Sequence, residues 1–312
     1  MRTRIDDYLT MPLLTIHHKT VYRYTRPVAF GEHRIMLRPL PGHDLRIRAS
    51  QLEIEPKPMQ LRWIHDVFGN SVAIATFDER ADELSFTATA TIEHKPAEEF
   101  GLAPDDPAYF YPFRYDDEEY PDLLQFVTPQ YGDPNGELSA WARRFLDAEA
   151  PTPTFKILSG MTHGIRKAFT YRKRHEHGTQ HPLDTLQTRS GSCRDYALFM
   201  IEALRRLGIA ARFVSGYIFV PDDGEGHVGG GSTHAWVQVY LPSDGWIEFD
   251  PTNGIVGTRD LIRVAVARDP RQAIPLYGTY LGSPDAFAGM EVHVDVVSVD
   301  DEPAEAPQAE QV

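Results

Sequence analysis

At 312 residues the chain is long for one domain and comfortable for two, and its 42% hydrophobic and 11% aromatic content can bury a real core. A net charge of −14 argues against nucleic acid or an anionic membrane surface as the main partner, and no apolar run approaches the roughly 20 residues that span a bilayer. A single cysteine, Cys193, excludes an internal disulfide framework and suits a reducing, cytoplasmic compartment. Met1 to Thr10 is charged and polar, lacks the apolar core of a signal peptide, and reads as a poorly ordered extension.

From Leu13 to about His94 the pattern is strand after strand. Leu84 to Ile92 alternates apolar and polar residues, the period of a half-buried strand. Before it come Leu14 to Tyr24, Arg34 to Arg38, Leu45 to Ile54, and Leu61 to Phe77, the last broken by a hairpin turn at Asp66-Val67-Phe68-Gly69-Asn70. Short strands with regular turns predict an antiparallel, sandwich-like domain over residues 11–95. Residues 96–135 read as an aromatic-rich connector. Its acidic run, Asp116-Asp117-Glu118-Glu119, lacks a calcium-loop pattern and reads as a solvated face.

The period becomes helical from Gly136. Leu138, Trp141, Ala142, Phe145 and Leu146 share one helix face, and Phe155, Leu158, Thr162, Ile165 and Phe169 another. His175, His177 and His181 lie close enough to suggest zinc, but no cysteine completes the set and Glu176 interrupts it, so a surface loop near the site is favoured. The turn Arg189-Ser190-Gly191-Ser192 then leads into a helix with Ala197, Ile201, Leu204 and Leu207 on one face and Gly208 past its end. Cys193 falls in the first turn, where the partial positive charge of the helix N-terminus favours thiolate over thiol. The bland alternative is a small buried apolar cysteine.

Ala211 to Val220 is a strong strand, followed by a glycine-rich loop, Asp222 to Gly231. That loop has no Lys-Ser/Thr pair for phosphate and reads as a flexible cover over the site. Thr233 to Leu241 and Trp246 to Asp250 flank a Pro-Ser-Asp-Gly turn and form a hairpin. His234 opens the first strand and Asp250 closes its antiparallel neighbour, so both stand at one end of the sheet on strands about 4.8 Å apart. A thiol nucleophile needs a base, and the base needs an orienting group. Cys193, His234 and Asp250 supply those three types. Beyond them, Gly257 to Ala267 reads as a strand returning to the sheet; Arg259 and Asp260 either line the cleft or serve in structural ion pairs, the latter favoured. Met290 to Val299 reads as the last strand, and 300–312 as a disordered acidic tail.

Arg189 to Asp195, Thr233-His234-Ala235-Trp236 and Phe249-Asp250-Pro251-Thr252-Asn253 resemble the three core motifs of the transglutaminase-like superfamily, with the match closest to its bacterial branch. Leu13 to Glu93 resembles the N-terminal domain found in that branch, so the likeness covers about residues 11 to 298. The resemblance implies an α+β, papain-like catalytic core over 136–299 with Cys193 as nucleophile, His234 as base then acid and Asp250 as orienter. It implies acyl transfer through a thioester. In transglutaminases a glutamine carboxamide of a peptide or protein loses ammonia and a primary amine takes the acyl group; in other members water is the acceptor. The oxyanion needs donors. The Cys193 N–H is one, and Tyr171 is the candidate for an upstream side chain. Animal members need calcium, but no motif here carries those ligands, and neither metal nor cofactor is expected. A cysteine peptidase or amidase of the same core is the alternative. A non-catalytic binding module is a third reading, against which the intact triad argues.

Overall fold

The computed structural model describes residues 13–95, 101–149, 151–173, 178–220, 231–257 and 260–299. The expected N-terminal extension, His175, His177, positions 222–230 of the glycine-rich loop, Arg259 and the acidic tail lie outside the described residues. The first sheet is framed by β1 (Leu13–Ile35), β2 (Leu45–Glu55), β3 (Gln60–His65), β4 (Ser71–Thr76) and β5 (Arg80–His94), in the order β2-β5-β1-β4-β3. Every neighbouring pair is antiparallel. The alternation of β5 is realised in its burial: Leu84, Phe86, Ala88, Ala90 and Ile92 point into the core, with Thr87, Thr89 and Thr91 half-buried between them. β1 runs for 23 residues, and its register against β5 breaks between Arg23 and Val28. Such an irregularity bends a strand, and the sandwich-like domain takes the form of one antiparallel sheet that curls. The turn expected at Asp66–Asn70 joins β3 to β4, with the Asp66 carboxylate accepting from the backbone N–H of Phe68 and of Asn70, both at 2.9 Å.

The aromatic-rich connector contains ordered elements of its own. A short β6 (Phe110–Tyr111) precedes α1 (Tyr120–Val127), whose Leu123, Phe126 and Val127 are buried. Then come α2 (Glu137–Arg143), β7 (Thr152–Pro153) paired with β6, and α3 (Thr154–Ala168). The inward face of α3 is Ile157, Leu158, Met161, Thr162 and Ile165; Phe155, expected on that face, is 39% exposed. It is the second residue of the helix. β8 (Thr170–Tyr171), α4 (Pro182–Thr188) and β9 (Ser190–Gly191) lead to α5 (Cys193–Arg205). Every residue of α5 except Arg194 is buried, as for a helix enclosed on all sides. Its charged members are therefore paired: the Arg205 guanidinium donates to Glu202 at 3.0 Å, and Glu202 accepts from the backbone N–H of Gln130 and Tyr131. Gly208, at φ +75°, closes the turn that follows the helix.

α5 packs on a second antiparallel sheet, built of β10 (Ala211–Ile218), β11 (His234–Leu241), β12 (Gly245–Asp250), β13 (Ile255–Val256) and β14 (Leu261–Ala267) in the order β13-β12-β11-β10-β14. Ala197, Met200 and Leu204 share one apolar cluster with Phe213, Val237 and Val239 of that sheet. β14 returns to the sheet as expected.

Residues 276–298 do not stay with the core. They form β15 (Leu276–Leu281) and β16 (Phe287–Ser298), and both pair with β1. The alternation of Val292, Val294 and Val296 specifies a half-buried strand but not its partner, and β1 has a side left open by β5. The chain thus leaves the first sheet, builds the core and returns to the first sheet with its last two strands. The two sheets meet in a shared cluster that joins Leu14, Ile16 and Ile92 to Tyr217, Ile262 and Val264. The Asn70 side chain accepts from Val266 N–H at 2.9 Å and donates to Val266 C=O at 2.8 Å, satisfying the edge of β14. Among the described residues no helix is long and apolar enough to cross a membrane.

Candidate active site

The N-terminus of α5 is locked by its own third residue. The Asp195 carboxylate accepts from the Ser192 backbone N–H at 2.8 Å, the Ser192 hydroxyl at 2.9 Å and the Gln180 N–H at 2.8 Å. This is the reciprocal capping expected of a polar residue three positions into a helix. β8 and β9 pair in parallel, Thr170 with Ser190 and Tyr171 with Gly191. Gly191 is required there, because a Cβ would lie 2.8 Å from that of Asp195. Cys193 follows as the first helical residue, 8% exposed. Its N–H is among those that no helical carbonyl can reach.

His234 and Asp250 meet as the hairpin predicts. The register pairs Val237 with Phe249 and Gln238 with Glu248, so the start of β11 and the end of β12 coincide. The two oxygens of an ionised carboxylate only accept, so His234 Nε2–H is the donor to Asp250 Oδ2, at 2.8 Å. Asp250 Oδ1 accepts from the backbone N–H of Thr252 at 2.8 Å and of Asn253 at 3.4 Å, and Oδ2 also accepts from Asn253 Nδ2 at 2.8 Å. Burial opposes ionisation of Asp250, but His234 and these donors hold its carboxyl below the ordinary range. Burial likewise opposes charge on His234, yet Asp250 and, after it, Cys193 push its pKa from 6.5 up to about 10. Nδ1 closes no hydrogen bond of standard geometry with any described residue, which leaves it as the ring nitrogen open to Cys193.

The structure also brings Tyr171 to the site. The ladder to Gly191 sets it two positions from Cys193, with its ring 6.4 Å from that of Tyr196. Burial first, then the neighbouring acidic groups Cys193, Tyr196, Asp195 and Asp250, push its pKa up to about 12, so the hydroxyl keeps its proton at neutral pH. Sequence reasoning named no role for Asn253 and Arg194. Asn253 supports the carboxylate from the Pro-Thr-Asn turn, a local side-chain bond that asparagine favours after Asp-Pro. Arg194 donates to the carbonyls of Pro270 at 2.7 Å and Ala273 at 3.3 Å and lies 4.8 Å above the Phe213 ring, tying the start of α5 to the segment after β14. No local pattern signals that contact. His181 caps α4, accepting from Leu183 N–H at 3.2 Å. Among the described residues no group of three or more His, Cys, Asp or Glu side chains is placed to hold a metal ion.

Residues 140–251 match the model of the transglutaminase-like superfamily, and residues 14–93 match that of the bacterial transglutaminase-like N-terminal region. An uncharacterized protein of Mycobacterium tuberculosis is 29% identical over 94% of this chain and 96% of its own length. A protein-glutamine gamma-glutamyltransferase of Pseudomonas aeruginosa is 39% identical over 79 residues, which is 23% of this chain and 11% of its own. A candidate cysteine protease from Cytophaga hutchinsonii has the same fold, with a TM-score of 0.68 at 21% identity over 95% of this chain and 93% of that one.

Proposed function

Since the chain belongs to the transglutaminase-like superfamily and carries the bacterial N-terminal region, we propose that it catalyses thiol-dependent acyl transfer at amide groups of peptides or proteins. Cys193 is the nucleophile, His234 the base and acid, Asp250 the orienter. The observation that carries this reading is the buried His234–Asp250 bond, which leaves Nδ1 open beside Cys193.

The raised His234 pKa favours an imidazolium, and nucleophilic attack needs the Cys193 sulfur as its thiolate. The thiolate attacks the carboxamide carbon, and the carbonyl pair moves onto oxygen. The Cys193 N–H and the Tyr171 hydroxyl are the donors to that oxyanion. When the tetrahedral intermediate collapses, the C–N bond breaks and His234 gives its proton to the leaving nitrogen. The thioester then meets an acceptor whose proton passes to His234 as its nitrogen or oxygen attacks. Asp250 keeps Nδ1 in position throughout.

An amine acceptor is favoured by the gamma-glutamyltransferase relative. Water is the second reading, favoured by the candidate protease that shares the fold over nearly the whole chain. Mass spectrometry of a glutamine-containing peptide, with and without a primary amine, separates them. The expected product is the amine-substituted peptide; cleavage or simple deamidation in the presence of amine would assign the reaction to hydrolysis.

A further inference from the structure

A buried charged cluster beside the catalytic pair plays no part in the mechanism. Glu248 sits two residues before Asp250 on β12, and Trp236 two residues after His234 on β11, so each shares a strand face with its catalytic neighbour. Trp236 is fully buried and stacks on the His234 ring at 6.0 Å between centroids and 27° between planes. Its indole N–H donates to Glu248 Oε2 at 3.1 Å. Glu248 Oε1 accepts from Gln238 at 3.1 Å and from Arg263 at 2.9 Å. The second arm of Arg263, on β14, donates to Asp44 Oδ1 at 2.6 Å. Asp44 belongs to the first sheet's side of the molecule, just before β2.

The local backbone is shaped around this path. Leu40 N–H donates to the Arg263 carbonyl at 2.8 Å. A Cβ on Gly42 would stand 2.7 Å from Asp44 Oδ1, and one on Gly216, opposite His234 in the register, would stand 2.6 Å from the Trp236 ring. Arg212 closes the cluster on its other side, donating to Gln238 at 2.8 Å and lying 3.9 Å over the Trp246 ring. A buried carboxylate and guanidinium are retained only when every polar atom is satisfied, and here they are satisfied by groups from both parts of the chain.

We propose that the N-terminal domain positions the catalytic histidine: the path Asp44–Arg263–Glu248–Trp236 holds the ring on which His234 stacks, and so sets the approach of Nδ1 to Cys193. This rests on the reading of Cys193 and His234 given above. Asp44, Arg263, Glu248 and Trp236 are positioning residues, since none of them touches the reacting atoms. Loss of the path should leave the fold in place and let the imidazole tilt away from Asp250.

Two readouts that need no substrate test it: NMR titration of isotope-labelled His234, and the rate at which iodoacetamide alkylates Cys193 at neutral pH. Asp44→Asn and Trp236→Phe should each move the His234 titration toward its ordinary range and slow alkylation about tenfold, within the effect that a small misplacement of a catalytic group produces. The double variant should be no worse than the worse single one, because the residues act in series. Tyr217→Phe is the control. Its hydroxyl bonds His18 at 3.0 Å and the Leu37 carbonyl at 3.2 Å across the same interface without touching the path. It should lower thermal stability and leave both readouts unchanged. Unchanged titration and alkylation in both path variants, or equal changes in Tyr217→Phe, would overturn the proposal. If the wild-type thiol itself fails to alkylate below neutral pH, the catalytic reading fails instead, while the His234 titration still reports on positioning.

Discussion

The first sheet wears its charges on the outside, whereas the core sheet holds them within. Arg23 with Glu83, Arg26 with Asp285 and Arg34 with Glu32 leave about half or more of each side chain in water. Such pairs contribute at most about 1 kcal/mol each. His234 with Asp250 and Glu202 with Arg205 are fully buried. Removing one partner of such a pair strands a charge and costs about 3–5 kcal/mol. Both sheets are antiparallel and both bury an apolar face, so secondary structure does not separate them. Placement of charge does: the core desolvates its ion pairs, one of them His234–Asp250 where a proton has to be moved, whereas these pairs of the first sheet stay in water.

That contrast can be broken experimentally, the largest effect being at the thiol. Cys193→Ala should lower turnover by at least about 10⁴-fold while the thermal transition barely moves. Retained activity would place the chemistry elsewhere. Asp250→Asn should be milder, with a loss of roughly 10²–10⁴-fold, because the turn still orients the side chain while the amide disturbs the ring's hydrogen bond. Steady-state rates on the same peptide compare the two. The dyad should also appear in stability as a function of pH. Asp250 is depressed from 3.8, so its contribution is present above that value and is lost as pH falls through the folded pKa. His234 is raised from 6.5 to about 10, so its contribution is complete below 6.5 and is lost as pH rises toward 10. The difference in melting temperature between wild type and His234→Gln should therefore be greatest between about pH 4 and 6.5 and shrink on the alkaline side. A difference that stayed flat to pH 10 would contradict the raised pKa. The smallest effect belongs to the outer surface. Arg23→Ala should change denaturant stability by less than about 1 kcal/mol and leave turnover alone; a larger loss would erase the contrast between the sheets.

The parts legible in the sequence are those with local signals. A turn run before an apolar helical face located Cys193 at the start of α5, and the hairpin arithmetic put His234 and Asp250 at one sheet end. Strand periodicity gave β5 and the Asp66–Asn70 turn. Partners distant in the chain were not legible. Alternation in 290–299 showed a strand, while its pairing with β1 depends on which edge is open. The path from Asp44 to Glu248 joins polar residues some two hundred positions apart, each of which alone looks like a surface group. α1 carries no such signal, being a short helix inside an acidic, aromatic stretch, held by burial of Leu123 and Phe126 rather than by a long periodic pattern.

Intact-mass spectrometry of the protein mixed with a glutamine-containing peptide, quenched in acid before the acceptor step, tests the central claim most directly. The account predicts an adduct on Cys193 with the mass of the peptide less ammonia, discharged by hydroxylamine and absent from Cys193→Ala. No adduct on the wild-type protein, or the same adduct on Cys193→Ala, would contradict it.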